Sequence, residues 1–172
     1  MSDILLEAQR CLKCKKPFCK EGCPVKTEIP TIIQMFLDGK MDEAGEILFN
    51  NNPLSAICSL ICPHEKNCMG NCVLGRKGTP IKFFEIENYI STFYLEKARL
   101  KVTEKNGHLV GIIGAGPAGL TLAVILAERG YKVTIIDSKD NVAVMLENGK
   151  DIPIGHKFAL RDIDIGEDVI KY

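Results

Sequence analysis

The sequence lacks an excess of charge of either sign. Its 22 lysines and arginines match its 22 aspartates and glutamates, so the net charge is zero at pH 7. Nucleic-acid-binding surfaces usually carry a basic excess, and this balance argues against such a partner. No stretch of about 18 apolar residues occurs, so no membrane-spanning helix is predicted. The opening residues MSDILLEAQR lack the basic and apolar regions of a signal peptide, and we therefore expect a cytoplasmic protein without a membrane partner.

Cysteine is absent after residue 72, whereas eight cysteines lie between Cys11 and Cys72. In a cytoplasmic protein such residues are more often metal ligands or catalytic thiols than disulfides. The first group has the spacing C-x2-C-x4-C-x3-C-P, and the second has C-x3-C-P-x4-C-x3-C. The uneven distribution along the chain also predicts two or more separate modules.

Each group contains four thiols, which is the ligand number that an iron–sulfur cluster requires. In the bacterial ferredoxin pattern, the cysteine before proline binds the neighbouring cluster. By that analogy one cluster takes Cys11, Cys14 and Cys19, while Cys23 belongs to a second. Two zinc sites are the main alternative, although the second group has no C-x2-C pair. A thioredoxin-type pair would need a βαβ context around the first cysteines, which is absent there.

Three amphipathic helices are predicted in the cysteine-containing part. The segment TEIPTIIQMFLDGK has one apolar stripe at helical spacing, formed by Ile29, Ile32, Ile33, Phe36 and Leu37. Pro30 suits its first turn and Gly39 the position just past its end. MDEAGEILFNNNP predicts a second helix, and PIKFFEIENYISTFYLEK a third. The second cysteine group, between these two, is expected to be mostly loop.

A glycine turn follows a charged linker at residues 98–108. The stretch GIIGAGPAG gives G-x-G-x-x-G at Gly114, Gly116 and Gly119, between an apolar strand and a helix predicted over 120–129. This is the context of a dinucleotide-binding fingerprint. The first glycine permits the tight turn, the second lets the backbone approach a pyrophosphate, and the third lets the helix pack on the strand.

An acidic residue, Asp137, ends the next predicted strand at residues 132–136. It is placed to accept hydrogen bonds from a ribose 2′-hydroxyl, so FAD or NAD fits better than NADP. One βαβ unit alone lacks the third strand and crossover of a doubly wound domain. FAD is therefore a candidate cofactor whose site is incomplete.

Three stretches resemble a known family: EAQRCLKCKKPFCKEGCPV, NNPLSAICSLICPHEKNCMGNCVLG and PIKFFEIENYI. They are similar to the N-terminal dicluster domain of the NADPH-dependent glutamate synthase small subunit, which also opens dihydropyrimidine dehydrogenase. The resemblance covers about residues 5–97. It implies a helical domain in which two 4Fe–4S clusters pass electrons between flavins.

The resemblance also implies the ligands of each cluster. Four thiolates would hold the first cluster, from Cys11, Cys14, Cys19 and Cys72. Three thiolates and one carboxylate would hold the other, from Cys23, Cys62, Cys68 and Glu87. Cys58 is then expected to have no metal role. His64, beside the Cys62-Pro63 pair, is expected to be a histidine of the loop surface.

The turn GAGPAG, which includes Ala115 and Pro117, resembles the FAD-binding start of the same small subunit. After Ser138 the pattern changes. The final segment, from IPIGHKFA to GEDVIKY, resembles the SAF-type N-terminal domain of altronate and galactarate dehydratases over about 32 residues. This change motivates the hypothesis of a truncated or fused reading frame.

We therefore expect a mainly α N-terminal iron–sulfur domain (1–97), the linker (98–108), an incomplete Rossmann-like βαβ unit (109–138) and a short β-rich tail (139–172). The predicted function is electron transfer in a glutamate synthase small subunit-like oxidoreductase. The partner would be a flavoprotein or a glutamate synthase large subunit-like chain. The chain alone is expected to lack complete catalysis, because the catalytic domains of this oxidoreductase family are incomplete in it. The alternatives are a zinc-stabilised, non-redox interaction module and a fragment fused to a SAF domain.

Overall fold

The computed structural model describes residues 2–97, 104–136 and 145–146 of the chain. They belong to two compact units that divide after Lys97. The first unit is helical and contains all eight cysteines. The second contains a parallel βαβ unit, as the sequence predicts. In the part of the chain that the structure describes, no helix is long and apolar enough to cross a membrane.

The first unit consists of short helices joined by loops. They are α1 (Ser2–Gln9), α2 (Phe18–Gly22), α3 (Ile29–Leu37), α4 (Met41–Asn51), α5 (Ser55–Ile61) and α6 (Phe83–Lys97), with a 3₁₀ turn at Val73–Arg76. The predicted helices at α3, α4 and α6 are confirmed. The second cysteine group is mostly loop, as expected, although its first residues, 58–61, lie inside α5.

Helix α3 forms and ends as its sequence dictates. Pro30 lies in the first turn, where its missing N–H costs no intrahelical hydrogen bond. Gly39 has a φ of +74° just past the end of the helix. The N–H of Gly39 donates to the carbonyl of Phe36, and that of Lys40 donates to the carbonyl of Met35. These two bonds form a Schellman motif, which satisfies carbonyl groups at the helix end.

The core of this unit lies between α3, α4 and α6, and α6 also packs on α5. Its most deeply buried large side chains are Ile32, Ile33, Leu48, Ile86 and Ile90. The backbones of α4 and α6 approach closely at Gly45, where an added Cβ would lie 2.4 Å from Cβ of Tyr94. A buried hydrogen bond of 2.9 Å joins the hydroxyls of Ser55 and Ser91 and connects α5 to α6.

The second unit contains β1 (Leu109–Ile113), α7 (Pro117–Glu128) and β2 (Lys132–Ile136). The two strands pair in parallel, with Leu109 opposite Lys132 and Ile113 opposite Ile136. A short strand, β3 (Met145–Leu146), pairs antiparallel with β2. The predicted helix start at residue 120 is wrong, because α7 begins at Pro117, within the glycine fingerprint.

Several predictions concern positions outside the described residues. Asp137, the part of the linker at 98–103 and most of the predicted tail at 139–172 are among them. For these segments the predicted roles stay predictions.

Leu48 is 1% exposed in the core. Its replacement, Leu48→Ala, is expected to lower the free energy of unfolding by about 2–5 kcal/mol, because it leaves a cavity. Leu6 in α1 is 61% exposed, so Leu6→Ala should change the free energy of unfolding by about 0.5 kcal/mol or less. Denaturant unfolding of the anaerobically purified chain measures both. Equal losses in the two variants would contradict the assigned core.

Candidate metal centre

Four of the predicted thiols come from three separate segments of the first unit. Cys11 and Cys14 lie in the loop after α1, Cys19 lies in α2, and Cys72 immediately precedes the 3₁₀ turn. All four line one cavity, together with Cys68. The rest of its lining is mostly apolar and includes side chains of Phe18, Leu12, Ile29, Ile33, Ile81 and Phe83.

The same four thiols interact electrostatically. Burial, together with negative charge on Cys72, Cys11 and Cys14, raises the pKa of Cys19 to about 11. Burial also raises the pKa of Cys11, and the neighbouring thiols act in the same direction. Backbone N–H groups of Lys13 and Lys20 oppose this by donating to Cys11 and Cys19. The structure therefore brings together the four thiols that the resemblance groups.

A second set surrounds the buried carboxyl of Glu87 in α6, which is 8% exposed. Cys23 follows α2, Cys62 follows α5, and Cys68 lies in the loop beyond. Burial raises the pKa of Cys68 to about 12, with further contributions from negative charge on Glu87, Cys23 and Cys62. Burial also raises the pKa of the Glu87 carboxyl to about 7. These four side chains are the second predicted ligand set.

Cys58 lies beside the second set, although the resemblance gives it no metal role. Burial raises the pKa of its thiol, and negative charge on Glu87, Cys62 and Cys23 would add to that effect. Its Sγ accepts a hydrogen bond of 3.1 Å from Nδ2 of Asn52. With Cys58 included, five side chains thus lie where the resemblance predicts four ligands.

Within residues 2–97 and the other described positions, no three Cys, His, Asp or Glu side chains converge closely enough for a single metal ion. The grouped thiols are candidate ligands of a 4Fe–4S cluster. Thiols that line one cavity and interact electrostatically fit such a cluster, since thiolates are its usual ligands.

His64 is buried, so the expectation of a loop-surface histidine is wrong. It is 8% exposed, and its ring stacks on that of Phe84 at a centroid distance of 4.6 Å. Its Nε2 lies 3.2 Å from the carbonyl oxygen of Cys58. Through these contacts the His64 ring connects α5, the loop that follows it and α6, which is a structural role.

In the second unit, the glycine turn has the geometry that the fingerprint requires. Gly114 has a φ of +99°, which favours glycine. An added Cβ at Gly119 would lie 2.1 Å from the carbonyl oxygen of Gly114, so α7 packs directly on the turn. Among the residues that the structure describes, none lies within 4 Å of an added Cβ at Gly116. Ala115 and Pro117 complete the turn, and an anion fits at such a helix start.

Comparison with known proteins agrees with this geometry. Residues 1–99 match the family described as dihydropyrimidine dehydrogenase domain II, 4Fe-4S cluster. Residues 112–160 match the NAD(P)-binding Rossmann-like domain. The fold and the grouped thiols define an iron–sulfur protein with a nucleotide-binding βαβ unit. The chain belongs to the family of dihydropyrimidine dehydrogenase domain II, which is a 4Fe–4S family.

Curated relatives include the small chains of glutamate synthase (NADPH) from Escherichia coli K12, 33% identical over 146 residues, and from Azospirillum brasilense, 35% identical over 147. Each alignment covers 83% of this chain, but 31% and 30% of the relative. The NAD-dependent dihydropyrimidine dehydrogenase subunit PreT of E. coli K12 is 32% identical, over 83% of this chain and 35% of the relative. The chain thus spans about a third of these relatives.

The Rossmann-like match extends to residue 160 and so enters the predicted tail. The match overlaps the segment that resembles a SAF domain, neither matched family is a SAF domain, and this resemblance of residues 139–172 stays a prediction. The resemblance of the first 97 residues to the dicluster domain is confirmed.

The close contact at Gly119 predicts a stability effect. Gly119→Ala should destabilise the βαβ unit by about 1–3 kcal/mol, because its Cβ would overlap the Gly114 carbonyl. Gly116→Ala is the matched control, since its Cβ meets open space and its φ is −72°. Hydrogen exchange of the β1 and β2 amides in the whole chain reports local stability. Equal protection in both variants would contradict the packing of α7 on the turn.

Proposed function

We propose that this chain is the electron-transfer part of an oxidoreductase and that residues 2–97 hold two 4Fe–4S clusters. The observation that carries this proposal is the pairing of the two ligand sets across α2. Cys19 in α2 belongs to the first set, and Cys23, which follows α2, belongs to the second. Two clusters held this way lie close together, which suits the transfer of single electrons.

In the first set, Cys11, Cys14, Cys19 and Cys72 would bind as thiolates within a mostly apolar lining. A bound cluster supplies a centre that accepts and releases one electron. The thiols must lose their protons to bind iron, so binding releases protons. Backbone donors from Lys13 and Lys20 support this by stabilising the thiolates of Cys11 and Cys19.

In the second set, Cys23, Cys62 and Cys68 supply thiolates and Glu87 supplies the fourth ligand. The Glu87 carboxyl is buried and faces thiols, and burial keeps its pKa near 7. Iron binding would replace the proton on this carboxyl. Ligand identity is one determinant of cluster potential, so an oxygen ligand would distinguish this cluster from its neighbour.

The nucleotide-binding unit supports a flavin as one redox partner. The N-terminus of α7 and the turn from Gly114 to Gly119 suit the pyrophosphate of FAD or NAD. The relatives' names, glutamate synthase small chain and PreT subunit, support a second chain as the other partner. We therefore propose that the clusters relay electrons between a flavin and a flavoprotein or a large subunit-like chain.

Metal analysis of anaerobically purified protein tests the proposed cofactors. Two 4Fe–4S clusters predict about eight irons per chain and broad absorption near roughly 400 nm. A colourless protein with about two zincs per chain would instead support the zinc-stabilised interaction module.

The ligand assignment predicts different results for the same substitution at two cysteines. Cys72→Ser is expected to lose about four irons per chain, because it removes a ligand of the first cluster. Cys58→Ser should retain about eight, because Cys58 is not a proposed ligand. Iron and sulfide content, with circular dichroism as a check of folding, measures both. Loss of iron in Cys58→Ser with retention in Cys72→Ser would reverse the assignment.

A further inference from the structure

Two polar side chains of the first unit contact thiols of the second set. Nδ2 of Asn67 donates a hydrogen bond of 3.1 Å to Sγ of Cys62. Oγ1 of Thr27 lies 3.4 Å from Sγ of Cys23. Neither residue is a proposed ligand, and nothing in the ligand scheme explains their positions. In the first set, by contrast, Cys11 and Cys19 receive backbone N–H groups.

The direction of the hydrogen bond between Thr27 and Cys23 depends on whether Cys23 carries a proton, and the Cys23 thiol is the donor in the structure. Thr27 is 3% exposed, and its Oγ1 accepts a hydrogen bond of 3.2 Å from Nδ2 of Asn51. The hydroxyl hydrogen of Thr27 is therefore available for Cys23. A Cys23 thiol can donate to Oγ1, but an iron-bound thiolate has no hydrogen and can only accept. With iron bound, Asn51 donates to Thr27 and Thr27 donates to Cys23.

Asn67 is held in place by the loop that follows Cys62. Its backbone N–H lies 3.2 Å from the carbonyl oxygen of Pro63 and 3.1 Å from that of His64. This compact turn directs its side chain back to Cys62. Helix α2 approaches the same turn at Gly22, where an added Cβ would lie 2.8 Å from the carbonyl oxygen of Asn67. The turn therefore has little room to move.

We propose that Thr27 and Asn67 are positioning residues that raise the reduction potential of the second cluster through hydrogen bonds to Cys23 and Cys62. This inference rests on the proposed two-cluster function. Reduction adds one electron to the cluster, with no covalent bond formed or broken. Donors to the ligand sulfurs stabilise the added negative charge, and hydrogen bonds to sulfur are a recognised determinant of cluster potential. Asn51 acts one step further out, by orienting the Thr27 hydroxyl.

The test is an anaerobic redox titration of the whole chain with dithionite, followed by electron paramagnetic resonance. The second cluster is identified as the one whose signal changes in Glu87→Gln. Thr27→Val and Asn67→Ala should each make its midpoint potential more negative. The double variant should shift it further, and the midpoint of the first cluster should not move.

Two variants serve as controls. Thr27→Ser keeps the hydroxyl, so its second potential should stay close to that of the unchanged protein. Thr27→Val has nearly the same volume as threonine but lacks the hydroxyl. Asn52→Ser removes the amide that donates to Cys58 but keeps an oxygen for the N–H of Leu54, which Asn52 accepts at 3.1 Å. It should leave both potentials unchanged, because Cys58 is not a proposed ligand.

Iron content separates failure of this inference from failure of the proposed function. If Thr27→Val and Asn67→Ala retain about eight irons and the second potential does not move, the inference is wrong. It is equally wrong if the potentials of both clusters shift by the same amount. If the unchanged chain contains no iron–sulfur cluster, the proposed function itself is wrong. If one of these variants loses iron, the milder variants Asn51→Ala and Asn67→Gln give the comparison, and an unchanged second potential in both would overturn the proposed donor chain.

Discussion

In the helical unit, groups that become negative when they ionise lie buried side by side, and this arrangement costs free energy. Burial raises the pKa of Cys19 and Cys68, and it raises that of Glu87 as well. Within each set, the negative charge of one ligand would disfavour ionisation of the next. Bound iron would remove this conflict, because it replaces protons on the thiols and the carboxyl. Bound iron would thus stabilise the fold, and cluster binding and folding would be coupled.

Only a short backbone segment separates the two proposed ligand sets. Helix α2 has five residues, yet Cys19 and the following Cys23 face different sets. Gly22, between them, permits the approach of the loop that holds Asn67 and Asn71. This arrangement explains why the first cysteine group does not form a site from its own four thiols.

Apolar periodicity sufficed for α3, α4 and α6, because their buried faces recur every three or four residues. Helix α1 was not predicted, although Ile4, Leu5 and Ala8 follow the same spacing before the first cysteines. The burial of His64 depends on stacking with Phe84, a tertiary contact that no local pattern encodes. Glu87 looks like a solvated helix carboxylate by spacing, and only the family resemblance singled it out. Thr27 and Asn67 have no sequence signal, because short polar residues near cysteines are common in turns.

The separation of ligands along the chain has a consequence during synthesis. Cys72 lies 53 positions after Cys19. At a translation rate of about 5–20 residues per second, roughly 3–11 s pass between the emergence of these two thiols. Glu87 emerges later still. The nascent chain would thus expose cysteines before either proposed site is complete, and the second proposed site would be completed only after Glu87 in α6 has left the ribosome.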